Sequence, residues 1–174
     1  YYVYSYAQLL AEEKIAEGEK INVVVPTGNF GNILAAFYAK NMGLPIDKLI
    51  CASNDNKVLY DFFATGTYDR NREFVLTTSP SMDILVSSNL ERLLFHMSGE
   101  NDVEVRDYMS QLNSVGKYEV SESIKAKLKE EFWGGFCGEQ DTAAKIAEYY
   151  KDRDYLIDTH TAVAVEVMEQ YRKE

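Results

Sequence analysis

The feature that most limits what this chain can become is a junction. Ile21-Asn22-Val23-Val24-Val25 runs into Pro26-Thr27-Gly28-Asn29-Phe30-Gly31-Asn32, and an apolar stretch follows at once. The β-branched run suits a buried strand. After the glycines, Ile33, Leu34, Ala36, Phe37, Ala39 and Lys40 continue as a helix that stops near Asn41-Met42-Gly43. Leu44-Pro45 forbids its continuation. Leu49-Ile50-Cys51-Ala52 is a second strand candidate. Residues 20–53 therefore spell strand, loop, helix, strand, a βαβ unit with a right-handed crossover.

The rest of the chain keeps strands and helices alternating. Helices are expected over residues 5–17, ended by Gly18, and from Asn56 to Phe63, ended by Gly66. Another is expected over 87–97, with Leu90, Leu93, Leu94 and Phe95 on one face. Two polar helices over 101–113 and 121–131 join around Gly116. Asp141–Tyr150 reads as a helix with Ala143, Ala144, Ile146 and Ala147 packing inward. Asp158-Thr159-His160-Thr161 opens a final helix, with Asp158 or Thr159 as its cap. Residues 67–80 read as loop with a short strand at Phe74-Val75-Leu76, Gly134–Gly138 as a break, and Leu156-Ile157 as a short strand. The expected class is α/β, a three-layer αβα arrangement around a mainly parallel sheet. Residues 1–174 are expected to form a single domain, or a fragment, carrying the glycine loop.

Composition narrows the function classes. The hydrophobic fraction is 46% and the charged fraction 26%, ordinary for a soluble globular domain. No apolar run approaches the roughly 20 residues of a membrane helix. A net charge of -10 without a Lys/Arg cluster argues against nucleic acid. Cys51 and Cys137 stand alone, with no CxxC and no histidine at ligand spacing. That pattern fits a reduced, cytoplasmic protein and no metal site.

The loop has the make-up of an anion site. A strand that ends in glycines and feeds a helix aims several free N–H groups at one point, and the helix dipole adds partial positive charge there. Gly28 and Gly31 allow positive φ and close approach; Asn29 and Asn32 offer side-chain amides; Thr27 adds a hydroxyl. The loop is neither GxxxxGK[ST] nor GxGxxG, which argues against an ATPase or a dinucleotide site. A plain strand-to-helix turn with Asn32 as N-cap is the competing reading.

Pro26–Asn32, Ile33-Leu34-Ala35-Ala36 and Lys40–Pro45 together resemble threonine synthase. So do Ala52-Ser53-Asn54-Asp55-Asn56, Ser81-Met82-Asp83-Ile84, Ser87–Phe95 and Asp158–Ala164, in the family's order. Tyr2–Tyr6 is similar to the family's aromatic helix before the strand. The resemblance implies part of a pyridoxal 5'-phosphate enzyme of the tryptophan-synthase-β fold type. Threonine synthases convert O-phosphohomoserine and water into threonine and phosphate, and the resemblance implies that activity for the parent. It also implies that Gly28, Asn29, Phe30, Gly31 and Asn32 hold the cofactor phosphate. The family's Schiff-base lysine lies in a segment before the loop, and none of the twelve lysines here stands in that context. The group facing the pyridine nitrogen lies in a segment beyond the last helix. No catalytic residue is therefore expected within this chain, which should be inactive alone. A threonine dehydratase or cysteine synthase relative, or a non-catalytic binding module, is the alternative; Asn29-Phe30 counts against those more glycine-rich relatives.

Other residues invite two readings each. Asn89 and Arg92 lie one helical turn apart and are substrate-binding candidates, Arg92 as a bidentate phosphate partner. An ion pair of Arg92 with Glu91 or Glu100 is the preferred reading. Ser87 and Ser88 are expected to cap the following helix, and Asn54 and Asn56 to face the cleft or form an Asx turn. His96 suits a helix end and His160 a first turn, while both cysteines read as packing residues.

Overall fold

The computed structural model describes residues 1–174. Its centre is three parallel strands: β1 (Ile21–Pro26), β2 (Ile46–Ser53) and β5 (Phe132–Phe136), in the order β1-β2-β5. Between β1 and β2 lies α2 (Gly31–Asn41), so the expected βαβ unit is present. Both sheet faces are covered, as continuous apolar strands require. Val25, Leu49, Cys51 and Phe132 point into the larger core, with α2, α3 (Val58–Thr65), α4 (Leu90–Met97) and α6 (Glu122–Glu131). Val24, Ile50, Ala52 and Trp133 point the other way, against Val163, Ala164 and Val167 of α8 (Thr159–Lys173). The architecture is the three-layer αβα of the sequence reading.

Several elements differ from expectation. The first helix, α1, spans Tyr2–Ala11 rather than 5–17, because Glu13 takes a left-handed backbone (φ 54) that ends it. The 67–80 segment holds its strand at β3 (Thr67–Asp69), not at Phe74–Leu76. β3 pairs with β4 (Lys117–Glu119), which links α5 (Asp102–Val115) to α6 and stacks Tyr68 on Tyr118 at 5.4 Å. At Phe74–Leu76 a side chain replaces a strand partner: Val75 N–H donates to Asn56 Oδ1 and the Asn56 amide donates back to Val75 O.

The expected break at Gly134–Gly138 is mostly strand β5. A Cβ on Gly134 would sit 3.2 Å from Phe63 Cβ, and one on Gly135 would sit 2.7 Å from Val167 Cγ1. The glycines thus let helices on both faces close onto the strand. In α7 (Glu139–Arg153) the buried residues are Thr142 and Lys145, while Ala143, Ala144 and Ala147 are exposed. Leu156-Ile157 forms no strand; Ile157 is buried and Leu156 is not.

Candidate functional site

The glycine loop lies where β1 ends and α2 begins, and Thr27 extends the strand by donating its N–H to Ala52 O. The Thr27 hydroxyl is buried and donates to Val25 O at 2.7 Å, so it serves the strand end rather than an anion. The left-handed residue is Phe30 (φ 68), not either glycine. A non-glycine residue there costs roughly 1–2 kcal/mol. Its ring offsets this by sitting in the core, 1% exposed, 6.2 Å from Phe63 and 5.9 Å from Phe132. Gly28 has a different reason to be glycine: a Cβ would lie 2.2 Å from Ser81 O. That carbonyl belongs to the turn Pro80–Met82, which is packed on the loop.

The donors of the loop divide in two. Gly31 N–H donates to Asn29 Oδ1 at 3.0 Å, and Leu34 N–H to Phe30 O. The amides of Gly28, Asn29, Phe30 and Asn32 donate to no backbone or side-chain acceptor of the protein. Tyr2 O–H donates to Asn32 Oδ1 at 2.7 Å, leaving the Asn32 NH₂ as a further donor. Asn29 and Asn32 are exposed, and residues 26–32 contain no acid. Uncompensated N–H groups at the start of an 11-residue helix, without a nearby carboxylate in the loop, suit a phosphate dianion.

The loop is held from behind by residues that sequence reasoning assigned elsewhere. Ser87 does not cap α4; its hydroxyl donates to Gly28 O at 2.7 Å. Asn89 donates both its backbone N–H (3.0 Å) and its side-chain amide (2.9 Å) to Asn29 O. Arg92 forms no ion pair with Glu91 or Glu100; it is exposed in a shallow groove with Tyr38, Phe95, His96 and Asp102. No sequence signal links the partners of these loop contacts, which stand 59 and 60 residues apart.

Asn54 and Asn56 follow β2 and hold the neighbouring loop. Asn54 Oδ1 accepts from Asn56 N–H, an Asx turn, and both side-chain amides donate to Asp83 Oδ1, at 2.8 and 2.9 Å. Thr77 adds its N–H and hydroxyl to the same carboxylate. Burial pushes the Asp83 carboxyl up, but these hydrogen bonds outweigh it and hold it below the usual range. Asp158 caps α8 by accepting from His160 N–H and Thr161 N–H. His160 Nε2 accepts from Ser81 N–H at 3.3 Å, which ties the α8 start to the turn above Gly28. Cys51 and Cys137 are both free and buried, and no cluster of His, Cys, Asp and Glu suits a metal ion. No helix is long and apolar enough to cross a membrane.

No protein-family model matches the chain. Threonine synthase-like 1 of Macaca fascicularis is 45% identical over 165 residues, covering 94% of this chain and 22% of that protein. Threonine synthase of Saccharomyces cerevisiae is 38% identical over 178 residues, covering 95% of this chain and 34% of that protein. The crystal structure of pyridoxal-phosphate-bound threonine synthase from Brucella melitensis superposes with a TM-score of 0.90 at 40% identity. It covers 97% of this chain and 36% of its own. The fold is that of a segment of a fold-type-II pyridoxal-phosphate enzyme. Within that class the chain is homologous, over nearly its whole length, to a segment of threonine synthase, and it spans about a third or less of the relatives it matches.

Proposed function

We propose that this chain is the cofactor-phosphate-holding segment of a threonine synthase, a cytoplasmic lyase that acts on O-phosphohomoserine and water to give threonine and phosphate. The observation that carries the reading is the loop itself. The free amides of Gly28, Asn29, Phe30 and Asn32 and the Asn32 NH₂ form a donor set without an acid, at a helix start. Such a set fits the phosphate of pyridoxal 5'-phosphate and is the part of the site these 174 residues supply. Gly31 belongs to the same loop but uses its N–H on Asn29, so its role is to shape the turn.

The cofactor, when bound, supplies an electron sink for charge developing at the substrate's α-carbon. The residues of this chain anchor and orient it, which sets the position of its reactive end. The covalent lysine belongs to the preceding segment of the parent, so the 174 residues alone bind the cofactor weakly and release no phosphate from O-phosphohomoserine. Arg92 makes no hydrogen bond to the loop and is the candidate for the substrate's phosphate, whereas Asn89 bonds Asn29 O and leaves the loop amides to the cofactor phosphate.

The test uses the full-length parent. It should show the absorbance of bound pyridoxal phosphate and release phosphate from O-phosphohomoserine. Absence of the band, or a band without phosphate release, rejects the assignment. Gly28→Asp places a carboxylate in the anion cradle and against Ser81 O, and should abolish cofactor retention. Retention unchanged by that substitution would move the phosphate site elsewhere.

A further inference from the structure

We infer that Ser87 and Asn89 are positioning residues for the cofactor phosphate, acting through the carbonyl oxygens on the back of the loop. The inference rests on the proposed role of the loop and goes beyond it. In a trans peptide the C=O and N–H point in opposite directions, and the chain contains no cis peptide. Gly28 O belongs to the same peptide plane as Asn29 N–H, and Asn29 O to the same plane as Phe30 N–H. Ser87 Oγ–H fixes the first carbonyl at 2.7 Å. Asn89 fixes the second with two donors, at 3.0 and 2.9 Å. Each bond therefore aims an N–H away from Ser87 or Asn89, and those two N–H groups have no protein acceptor.

Both positioning residues are themselves held. Ser87 is buried, and its N–H donates to the Tyr68 hydroxyl at 2.7 Å, which in turn donates to Leu85 O. Asn89 is the N-cap residue of α4, whose Leu90, Leu93 and Leu94 are in the core. The two loop amides are thus referenced to a buried serine and to a helix N-cap as well as to the loop's own backbone. Preorganised donors need no reorganisation when the anion arrives. Neither residue touches the phosphate: they set the angle of groups that do.

The experiment compares pyridoxal 5'-phosphate with pyridoxal, which lacks the phosphate, on the full-length parent. Ser87→Ala and Asn89→Ala are each expected to weaken pyridoxal-phosphate binding about five- to tenfold, the scale of one neutral hydrogen bond lost from behind the donor set. Pyridoxal binding should stay unchanged, and the ³¹P resonance of the bound phosphate should move toward that of free cofactor. Ser87→Thr, which keeps the hydroxyl, should restore affinity and resonance. Parallel weakening of both probes would reveal mere loosening and overturn the inference, as would an unchanged ³¹P signal. If Ser87→Ala fails to fold, Asn89→Ala decides alone, because it keeps the backbone donor of Asn89. Gly28→Asp separates the two levels: if it leaves the preference for the phosphorylated probe intact, the loop reading fails, whatever Ser87 and Asn89 do.

Discussion

Phe30 shows how one residue combines backbone strain with burial at the loop. Its left-handed φ of 68 turns the chain into α2, and its ring is the loop's anchor among Phe63 and Phe132. Phe30→Ala removes the anchor and keeps the strain, so it should cost about 3–5 kcal/mol in urea unfolding. Phe30→Gly removes both. It should be no worse than Phe30→Ala, against the usual order in which glycine is the poorer residue. A glycine variant less stable by about 1 kcal/mol would show that the backbone there is unstrained. Asp83 is a second single-residue determinant, since it gathers Asn54, Asn56 and Thr77 beside the loop. Its folded pKa lies below the ordinary value. The stability it gives is complete above about pH 4 and is lost as pH falls through the folded value. Asp83→Asn should therefore cost about 1 kcal/mol at neutral pH, a value reduced by solvent at the carboxylate, and flatten the acid limb of a stability–pH curve. The glycines and asparagines of the loop were legible in the sequence as turn residues, because local sterics favour them there. Which residue takes the positive φ was not, because Phe30's conformation is stabilised by a core assembled from distant segments.

Helices and strands with an ordinary apolar period were read correctly in kind. β1, α2, β2, α4 and α8 all advertise their burial through repeating side chains. β5 does not: its packing is done by the absence of side chains at Gly134 and Gly135, which a sequence reading takes for a turn. α7 misleads in the opposite way. Its alanines are exposed, and its deepest contact is Lys145, which bonds Glu148 at 2.8 Å, Glu166 at 3.2 Å and Glu169 at 2.7 Å. Burial pushes that ammonium toward deprotonation, but the three carboxylates overrule it and raise its pKa. Because Glu166 and Glu169 lie on α8, the lysine fastens α7 to α8. Lys145→Met leaves carboxylates facing one another and should cost about 2–3 kcal/mol at neutral pH, less than for a fully buried pair because the glutamates reach solvent. Burial also pushes Glu166 up, with Gln170 and Lys145 bringing it below its ordinary value. The gap between variant and native protein should thus narrow as pH falls through the ordinary glutamate range near 4. A gap independent of pH in chemical denaturation would mean that the lysine contributes by packing alone.

At the scale of the molecule, β2 is the middle strand and has a helical layer on either face. Cys51 sits in it, fully buried, and burial pushes its thiol up to about 12. A thiolate is needed for reaction with thiol reagents, so Cys51 should label only when the sheet comes apart. Its labelling in dilute urea should follow global unfolding measured by circular dichroism. Labelling well ahead of that transition would mean that β2 opens locally. Alone, the sequence determined the α/β class, the βαβ unit, the glycine loop and its kinship with threonine synthase. The first three rest on short-range rules: the period of apolar side chains, the stops set by proline and glycine, and the residue types that a tight strand-to-helix turn accepts; the kinship rests on the resemblance of motifs such as Pro26–Asn32 and Ser87–Phe95. Only the tertiary structure decided that Phe30 carries the left-handed turn, that the Gly134-Gly135 stretch is a strand, and that Ser87 and Asn89 grip the carbonyls of Gly28 and Asn29. Those contacts join residues far apart along the chain, and their geometry is set by how the two helical layers close on one sheet.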